Sequence, residues 1–465
     1  MGGKESRGLS MAQAKMAEAG VDQVAIDVFS HYYRLVQHGE TGMIPESAIA
    51  PVNAPALADQ EVPEDAQLEA IRATAVIKLN GGLGTSMGMD RAKSLLCVRR
   101  GLSFLDVIAR QVLHLRKEYD AQLPLVLMNS FRTSEDTLAA LARYDDLAVD
   151  GLPLEFLQNK EPKIRVDNLE PVTWSLDPEL EWCPPGHGDI YTALRGTGLL
   201  DELIDAGFRY AFVSNSDNLG ATPDKAVAGW FARSGAPFAI EAVRRTAADK
   251  KGGHFATRVN DGRIVLRETA QTLPEDLAKL QDLDQHRFAS TNNIWFDLVA
   301  MRDELDRRDG ILGLPLIRNE KTTDPSDAAS PKVIQIETAM GAAIEVFEDA
   351  RIIEVTRARF IPVKSTSQLL VLRSDAYDMG PDFGLDLVPD ETPFVDLEGP
   401  YKLVGEFDKR FPSGAPSLRR AHSLVVKGDW TFGEGVSVVG DVELDGNGGR
   451  IAAGTVLEEQ SPPSH

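Results

Sequence analysis

Cysteine is almost absent from this 465-residue chain: Cys97 and Cys183 are the only two, far apart and without another Cys or a His at ligand spacing. They supply neither a disulfide framework nor a zinc site, and a reducing cytoplasm suits them. Long apolar runs are missing too. None approaches the ~18 residues of a membrane span, and Met1–Gly20 has no signal-peptide-like core, so no membrane partner is expected. Met1-Gly2-Gly3-Lys4-Glu5-Ser6 formally matches a myristoylation pattern, which has meaning only beside a eukaryotic modifying enzyme, and we read it as chance. Basic charge is scarce: 49 Lys and Arg face 71 Asp and Glu, a formal charge of −22. Nucleic-acid binders grip phosphates with basic faces, so that class is excluded. Any phosphate-bearing ligand must be held by a few local cations and backbone N–H groups, while most carboxylates simply solvate the surface.

The chain is long for one hydrophobic core, and its texture changes along its length. Val21, Val24, Ala25, Val28, Tyr32 and Leu35 fall at helical intervals, with Gly39 as a stop. From Gly39 to about Glu64, Pro, Ala and polar residues read as an extended connection, so residues 1–74 form a helical region and connection. Short apolar runs then alternate with longer amphipathic ones: Ala75–Leu79, Pro124–Met128, Leu154–Leu157, Tyr210–Ser214 and Pro237–Val243. That alternation predicts an α/β domain over 75–375 with a largely parallel sheet. Ser103 and Asp106 offer a capping arrangement ahead of the apolar face Phe104, Leu105, Ile108, Val112 and Leu115.

After Ser374 the pattern breaks, and residues 376–415 read as a linker. A six-residue period follows: Leu424, Trp430, Val436 and Val442 in one register, Val426, Phe432, Val438 and Leu444 in the other. With Gly428, Gly433, Gly435 and Gly440 at the bends, 416–465 is predicted to be a parallel β-helix of about three turns, leaning on the preceding domain or on another subunit.

Chemistry concentrates after strand Ala75–Leu79, in Asn80-Gly81-Gly82-Leu83-Gly84-Thr85-Ser86-Met87-Gly88. Glycines let backbone approach a ligand and aim N–H groups at anionic oxygens. A Walker loop is excluded, because Lys93-Ser94 follows Ala92 and Met87 occupies the place of that loop's first Gly. The dinucleotide fingerprint fails on its third glycine, which Gly82-Leu83-Gly84 lacks at the required offset. Alone, the segment leaves open a generic turn or a phosphate loop of another kind.

Lys78–Gly88 with Lys93-Ser94 resembles the signature of the eukaryote-type UDP-glucose pyrophosphorylases. The resemblance continues through Pro124–Phe131, Pro184–Tyr191, Ser214–Thr222, Lys251-Gly252-Gly253, Ser290–Trp295, Val333–Ala339 and Arg359–Ser367, in the family's order over about residues 75–375. It implies a Rossmann-like, GT-A-type nucleotide-diphospho-sugar transferase fold ending in a β-helix. It also implies attack of glucose 1-phosphate on the α-phosphorus of UTP, assisted by Mg²⁺, with pyrophosphate leaving. Such catalysis is chiefly positioning and electrostatic stabilisation.

By the same resemblance, Lys93 contacts the triphosphate, Lys364 spans the reacting phosphates and Asp217 holds the metal. Leu79, Gly81, Gly82, Gly84, Thr85, Gln158, His187 and Gly188 form the nucleotide set. Asn215, Gly253, Glu268, Asn292, Asn293 and Lys364 form the sugar-phosphate set. His187 as a structural bridge between loops stays open beside its nucleotide role. Two departures stand out: Ala92 replaces the family's usual Pro, and Met89-Asp90-Arg91 brings an arginine able to add a phosphate contact. The polar ending after Glu458 is shorter than in relatives that assemble through it, which argues against their higher oligomers, although a homo-oligomer through the β-helix stays open. The rival functions are a sibling acting on another sugar 1-phosphate, a glycosyltransferase of related fold, and a catalytically inactive nucleotide-sugar sensor. A glycosyltransferase has no use for paired lysines around a triphosphate, and a sensor has no need to keep Lys93, Asp217 and Lys364 together.

Overall fold

The computed structural model describes residues 7–246, 249–250 and 252–458. Its centre is a seven-stranded sheet. The strands are β1 (Thr74–Leu79), β2 (Leu125–Asn129), β3 (Glu155–Leu157), β4 (Tyr210–Asn215), β5 (Phe238–Arg244), β6 (Phe288–Asp297) and β7 (Arg351–Glu354). Their spatial order is β7-β5-β6-β4-β1-β2-β3. Every pairing is parallel except the two made by β6, which runs antiparallel to β4 and β5. Continuous apolar strands suit this position, because both faces are covered: Ala75 and Ile77 pack on one side, Val76 on the other, and all three are solvent-inaccessible. This is the α/β, Rossmann-like architecture expected.

Two amphipathic helices, α1 (Arg7–Glu18) through Leu9 and Met16 and α2 (Gln23–Gln37) through Phe29, Tyr33 and Val36, share a core with Ile164, Ile334 and Ile336. After α3 (Glu64–Arg72) enters the sheet, α4 (Phe104–Tyr119) begins with the expected Ser103/Asp106 capping box. The connection 39–64 is not a bare linker. Its Ile49–Ala50 strand extends the hairpin His254–Arg258/Ile264–Arg267 into a three-stranded sheet.

Residues 376–415 are structured as well, with short strands, among them β8 (Phe394–Leu397), and a final helix α5 (Val404–Arg410). Tyr377, Leu397, Tyr401 and Phe407 are buried in the same core as Val76, on that face of the main sheet. The strands β9 (Ser417–Val426), β10 (Trp430–Phe432), β11 (Ser437–Leu444), β12 (Gly449–Ile451) and β13 (Val456–Glu458) follow. All their pairings are parallel: β8-β9-β11-β13 form one sheet and β10-β12 another. Leu424 pairs with Val442 and Val426 with Leu444, so three six-residue steps separate paired residues. No described helix is long and apolar enough to cross a membrane. The myristoylation pattern and the polar tail after Glu458 lie outside the described residues.

Candidate active site

Strands β1 and β4 are parallel neighbours, with Leu79 opposite Asn215. β2 and β3 lie to one side of β1 and β4 to the other, so the chain reverses direction across the sheet between β1 and β4. Open α/β sheets place ligands at the carboxyl ends of strands at such a point. Here two loops emerge side by side, Asn80–Gly88 from β1 and Ser216–Thr222 from β4, and Ser216 N–H donates to the Leu79 carbonyl.

The first loop is held by Asn80, whose buried amide donates to Asn129 and Thr137, and by Lys93 N–H, which donates to the Gly82 carbonyl at 3.0 Å. Gly84 has φ of 67°, which favours glycine. At Gly81 the need is spatial, since a Cβ there would lie 2.7–2.8 Å from the Gln158 amide atoms. Gln158 is thereby brought against the start of the loop that carries Gly81, Gly82, Gly84 and Thr85. Ala92 is fully buried with φ of −52°, within the range proline takes, so the backbone keeps a proline-like course without the ring. Arg91 is exposed, with Asp90 at 3.8 Å.

Lys93 Nζ lies 2.6 Å from Asp217 Oδ2, and both side chains are largely buried. Asp217 Oδ1 is buried and, among the described residues, has no hydrogen-bond partner. Lys364 is brought to the same turn by backbone. Val363 N–H donates to the Asp217 carbonyl, Ile361 N–H to Asn218 Oδ1, and Asn218 bridges Pro362. The Lys364 side chain is exposed, just ahead of a helix, Thr366–Arg373, whose capping box is Ser365/Gln368.

His187 Nδ1 accepts the Met340 N–H at 3.0 Å, which leaves the proton of the neutral ring on Nε2. The residue keeps surface open to the cleft, yet the chain packed around its ring, and secondarily the Lys364 ammonium, lower its pKa to about 4. Gly188 N–H donates to the Thr338 carbonyl at 2.9 Å, and a Cβ on Gly188 would collide with Thr338. Asp189 accepts both the backbone and side-chain N–H of Asn159, at 2.6 and 2.9 Å, and so joins the Gln158 corner to the His187 loop. Burial pushes the Asp189 pKa up to about 6 against those hydrogen bonds.

On the opposite side, Gly253 packs on Glu268, with a Cβ position 2.6 Å from the carboxylate. Burial raises the Glu268 pKa, and Lys364 opposes the rise. Asn292 sits at the β5/β6 irregularity with φ of 57°, a left-handed conformation rare outside glycine, and its N–H donates to Ser290 Oγ. Asn215 is half-buried at the end of β4. Asn293 differs from the expectation of a sugar contact: it is fully buried, and its amide donates to Glu241 at 2.9 Å and to the Arg359 carbonyl. A buried amide spent on a buried carboxylate is not available to a ligand. Lys251 lies outside the described residues.

Sequence reasoning assigned no part to the network beneath the site. Glu241, in β5, accepts Arg359 Nε and Nη2 at 2.6 Å each, together with Trp295 Nε1 and Asn293. Lys78 is buried between β1 and β4 and donates to Ser214 Oγ and to the Ala221 carbonyl, with a pKa lowered to about 7, chiefly by burial. A lone charged residue inside each apolar strand was the only signal.

An ammonium paired with a carboxylate that keeps one free oxygen, with the backbone of a second lysine held at the same turn and a glycine-rich loop beside it, makes a site suited to polyphosphate and a divalent cation. Among the described residues there is no cluster of three metal-ligating side chains. A divalent ion here would be shared between Asp217 and ligand oxygens, which is how Mg²⁺ is commonly held.

The family model described as UTP–glucose-1-phosphate uridylyltransferase matches residues 26–439. A barley (Hordeum vulgare) UTP–glucose-1-phosphate uridylyltransferase is 36% identical over 468 residues, covering 97% of this chain and 96% of its own. A probable UTP–glucose-1-phosphate uridylyltransferase of Schizosaccharomyces pombe is 37% identical over 392 residues, 83% of this chain and 76% of its own. A variant of the Leishmania major UDP-glucose pyrophosphorylase, crystallised with UDP-glucose, superposes with a TM-score of 0.92 at 44% identity, covering 98% of this chain and 99% of its own. A Trypanosoma brucei structure described as UDP-glucose phosphorylase gives 0.88 at 42% identity, covering 98% and 100%.

Proposed function

From the premise that this chain belongs to the UTP–glucose-1-phosphate uridylyltransferase family, we infer its activity and the residues that carry it. It is an enzyme, a uridylyltransferase that converts UTP and glucose 1-phosphate to UDP-glucose and diphosphate. A sugar-phosphate oxygen bonds to the α-phosphorus of UTP as the bond from that phosphorus to the α–β bridging oxygen breaks. The attacking oxygen is already anionic at neutral pH, so no protein base is required.

The observation that carries the assignment of residues is the meeting of Lys93, Asp217 and Lys364 at one edge of the sheet. Lys93 binds the triphosphate, and Lys364 spans the reacting phosphates and stabilises charge as it passes to the leaving diphosphate. Asp217, with Oδ1 free of a hydrogen-bond partner among the described residues, would hold Mg²⁺, which when bound would neutralise charge on the phosphate oxygens. Leu79, Gly81, Gly82, Gly84, Thr85, Gln158, His187 and Gly188 bind the nucleotide, with the His187 Nε2–H as a donor. Asn215, Gly253, Glu268 and Asn292 read the sugar, and Asn293 positions Asn292 from below.

The domain reading is 1–74, 75–375, 376–415 and 416–465, with 376–415 packed on the catalytic core rather than spacing it from the C-terminus. Parallel pairing at an eighteen-residue offset supports a short β-helix for the last unit, and a second copy of the chain could assemble there. Scarcity of cysteine supports a cytoplasmic setting.

A panel of sugar 1-phosphates tests the substrate assignment. The fastest diphosphate release should come with glucose 1-phosphate; faster release with galactose or N-acetylglucosamine 1-phosphate would move the enzyme to a sibling specificity.

A further inference from the structure

A buried polar cluster lies directly behind the sugar side of the cleft, and none of its members has a role in the reaction derived above. Its hub is Glu46, in the connection between α2 and the main domain. One carboxylate oxygen of Glu46 accepts Arg267 Nη2 at 2.7 Å, and the other accepts Gln285 Nε2 at 2.7 Å and His286 Nε2 at 2.9 Å. Its backbone N–H donates to Asp276.

Arg267 has no solvent exposure and, in addition to Glu46, donates to the Ile44 carbonyl and, through Nε, to His254 Nε2. The His254 ring therefore accepts at Nε2 and donates from Nδ1 to the Phe255 carbonyl. It stacks on His286 with ring centroids 3.8 Å apart. Burial holds both imidazoles neutral by lowering their pKa values, His254 to about 2.

The neighbours of these residues in the chain give the cluster its meaning. His254 and Arg267 are cross-strand partners, and the next residues out toward the cleft are Gly253 and Glu268. Gly253 and Glu268 are in contact, and the Glu268 carboxylate also accepts the Gln271 N–H in a capping box. The Gln271 carbonyl in turn accepts the Ile44 N–H at 2.8 Å. His286 leads into β6, which carries Asn292.

We propose that Glu46 is a positioning residue for the sugar pocket, gathering the Gly253–Glu268 hairpin and the approach to the Asn292 strand around one carboxylate. The proposal rests on the assignment of Gly253, Glu268 and Asn292 to the sugar. A buried guanidinium needs its counter-charge, and Glu46 is the carboxylate within reach of Arg267. Removing that charge frees the hairpin to shift relative to β6, and small misplacements at a binding site carry large kinetic costs. Among the described residues, the nucleotide corner at Gly81, Gln158 and His187 shares none of these contacts.

The test compares KM for each substrate in the purified full chain for Glu46→Gln, Glu46→Asp and Glu268→Gln. Glu46→Gln should raise KM for glucose 1-phosphate by about tenfold while KM for UTP stays within about twofold, and Glu46→Asp, which keeps the charge, should recover part of the loss. Equal rises in both constants, or no rise in a folded variant, overturn the proposal. If Glu46→Gln does not fold, Gln285→Ala decides, because it removes one donor without stranding a buried charge; a rise confined to glucose 1-phosphate supports the proposal and no rise overturns it. Glu268→Gln separates the premise from the inference: if it leaves KM for glucose 1-phosphate unchanged, the sugar assignment itself is wrong.

Discussion

Lys93 and Asp217 are 124 residues apart in the chain, yet their side chains meet at 2.6 Å between Nζ and Oδ2, leaving Asp217 Oδ1 buried and, among the described residues, without a partner. The parallel pairing of β1 with β4 makes the meeting unavoidable, because the loops that carry the two residues leave adjacent strand ends. A lysine that neutralises half of a carboxylate and leaves the other oxygen free is poised to share that carboxylate with a cation brought in by a polyphosphate.

Asp217→Asn should therefore change metal dependence before anything else. We expect turnover to fall about a hundredfold at saturating substrates, the scale of losing one electrostatic stabiliser, and the Mg²⁺ concentration for half-maximal rate to rise. A Mg²⁺ titration of rate checks both, and an unchanged titration midpoint would mean that the cation is held elsewhere.

Lys364 tests the other end of the reacting phosphates. Its side chain is exposed and its backbone is fixed by Val363 and the Ser365/Gln368 cap, so Lys364→Ala should leave the thermal midpoint unchanged while lowering kcat by about a hundredfold. Near-normal kcat would assign the bridging charge to another cation.

Gly81→Ala addresses the nucleotide corner. The added methyl would meet the Gln158 amide at 2.7–2.8 Å, and Gln158 must yield. Overpacking costs about 1–3 kcal/mol, which at a binding step is about five- to 150-fold in affinity. KM for UTP should rise on that scale with KM for glucose 1-phosphate little changed. Equal effects on both substrates would show that the loop as a whole had moved.

The stacked imidazoles make stability depend on pH in a defined direction. His254 titrates near 6.5 when unfolded and near 2 when folded, so its contribution is complete above pH 6.5 and is lost as the pH falls toward 2, where the unfolded chain binds the proton first. Replacement by Gln removes the titration. The stability gap between the parent and His254→Gln, measured by urea unfolding, should narrow as the pH is lowered from 7 to 5. A constant gap would contradict the reading.

The sequence disclosed what depends on local chemistry. β1, β2, β4 and β5 are legible because strands buried on both faces are written as apolar runs broken at most by a single charged residue, the edge strand β3 is legible only as a short apolar cluster, and α4 is legible because Ser103 and Asp106 are three residues apart. β6 was recognised only as a motif: Ser290-Thr291-Asn292-Asn293 interrupts its apolar run where the left-handed Asn292 breaks the pairing with β5. The linker reading of 376–415 failed to anticipate that short, turn-rich stretches bury Tyr377, Tyr401 and Phe407 in the main core, since such elements carry no sustained period.

The site was legible unevenly for a related reason. Lys93, Asp217 and Lys364 were picked out through the motifs around them, and backbone pairing brings them together. The burial of Asn293 was not legible because nothing local shows that its partners, Glu241 and Arg359, lie 52 and 66 residues away. The roles of Lys78 and Glu46 were equally hidden, as each depends on partners from distant segments.

The most direct measurement is diphosphate release by the purified chain from UTP, with glucose 1-phosphate and Mg²⁺ supplied together and each omitted in turn. Release only when both are present, with UDP-glucose formed in equal amount, is the predicted result. Release without glucose 1-phosphate, or no release with any sugar 1-phosphate, would contradict a uridylyl transfer organised by Lys93, Asp217 and Lys364.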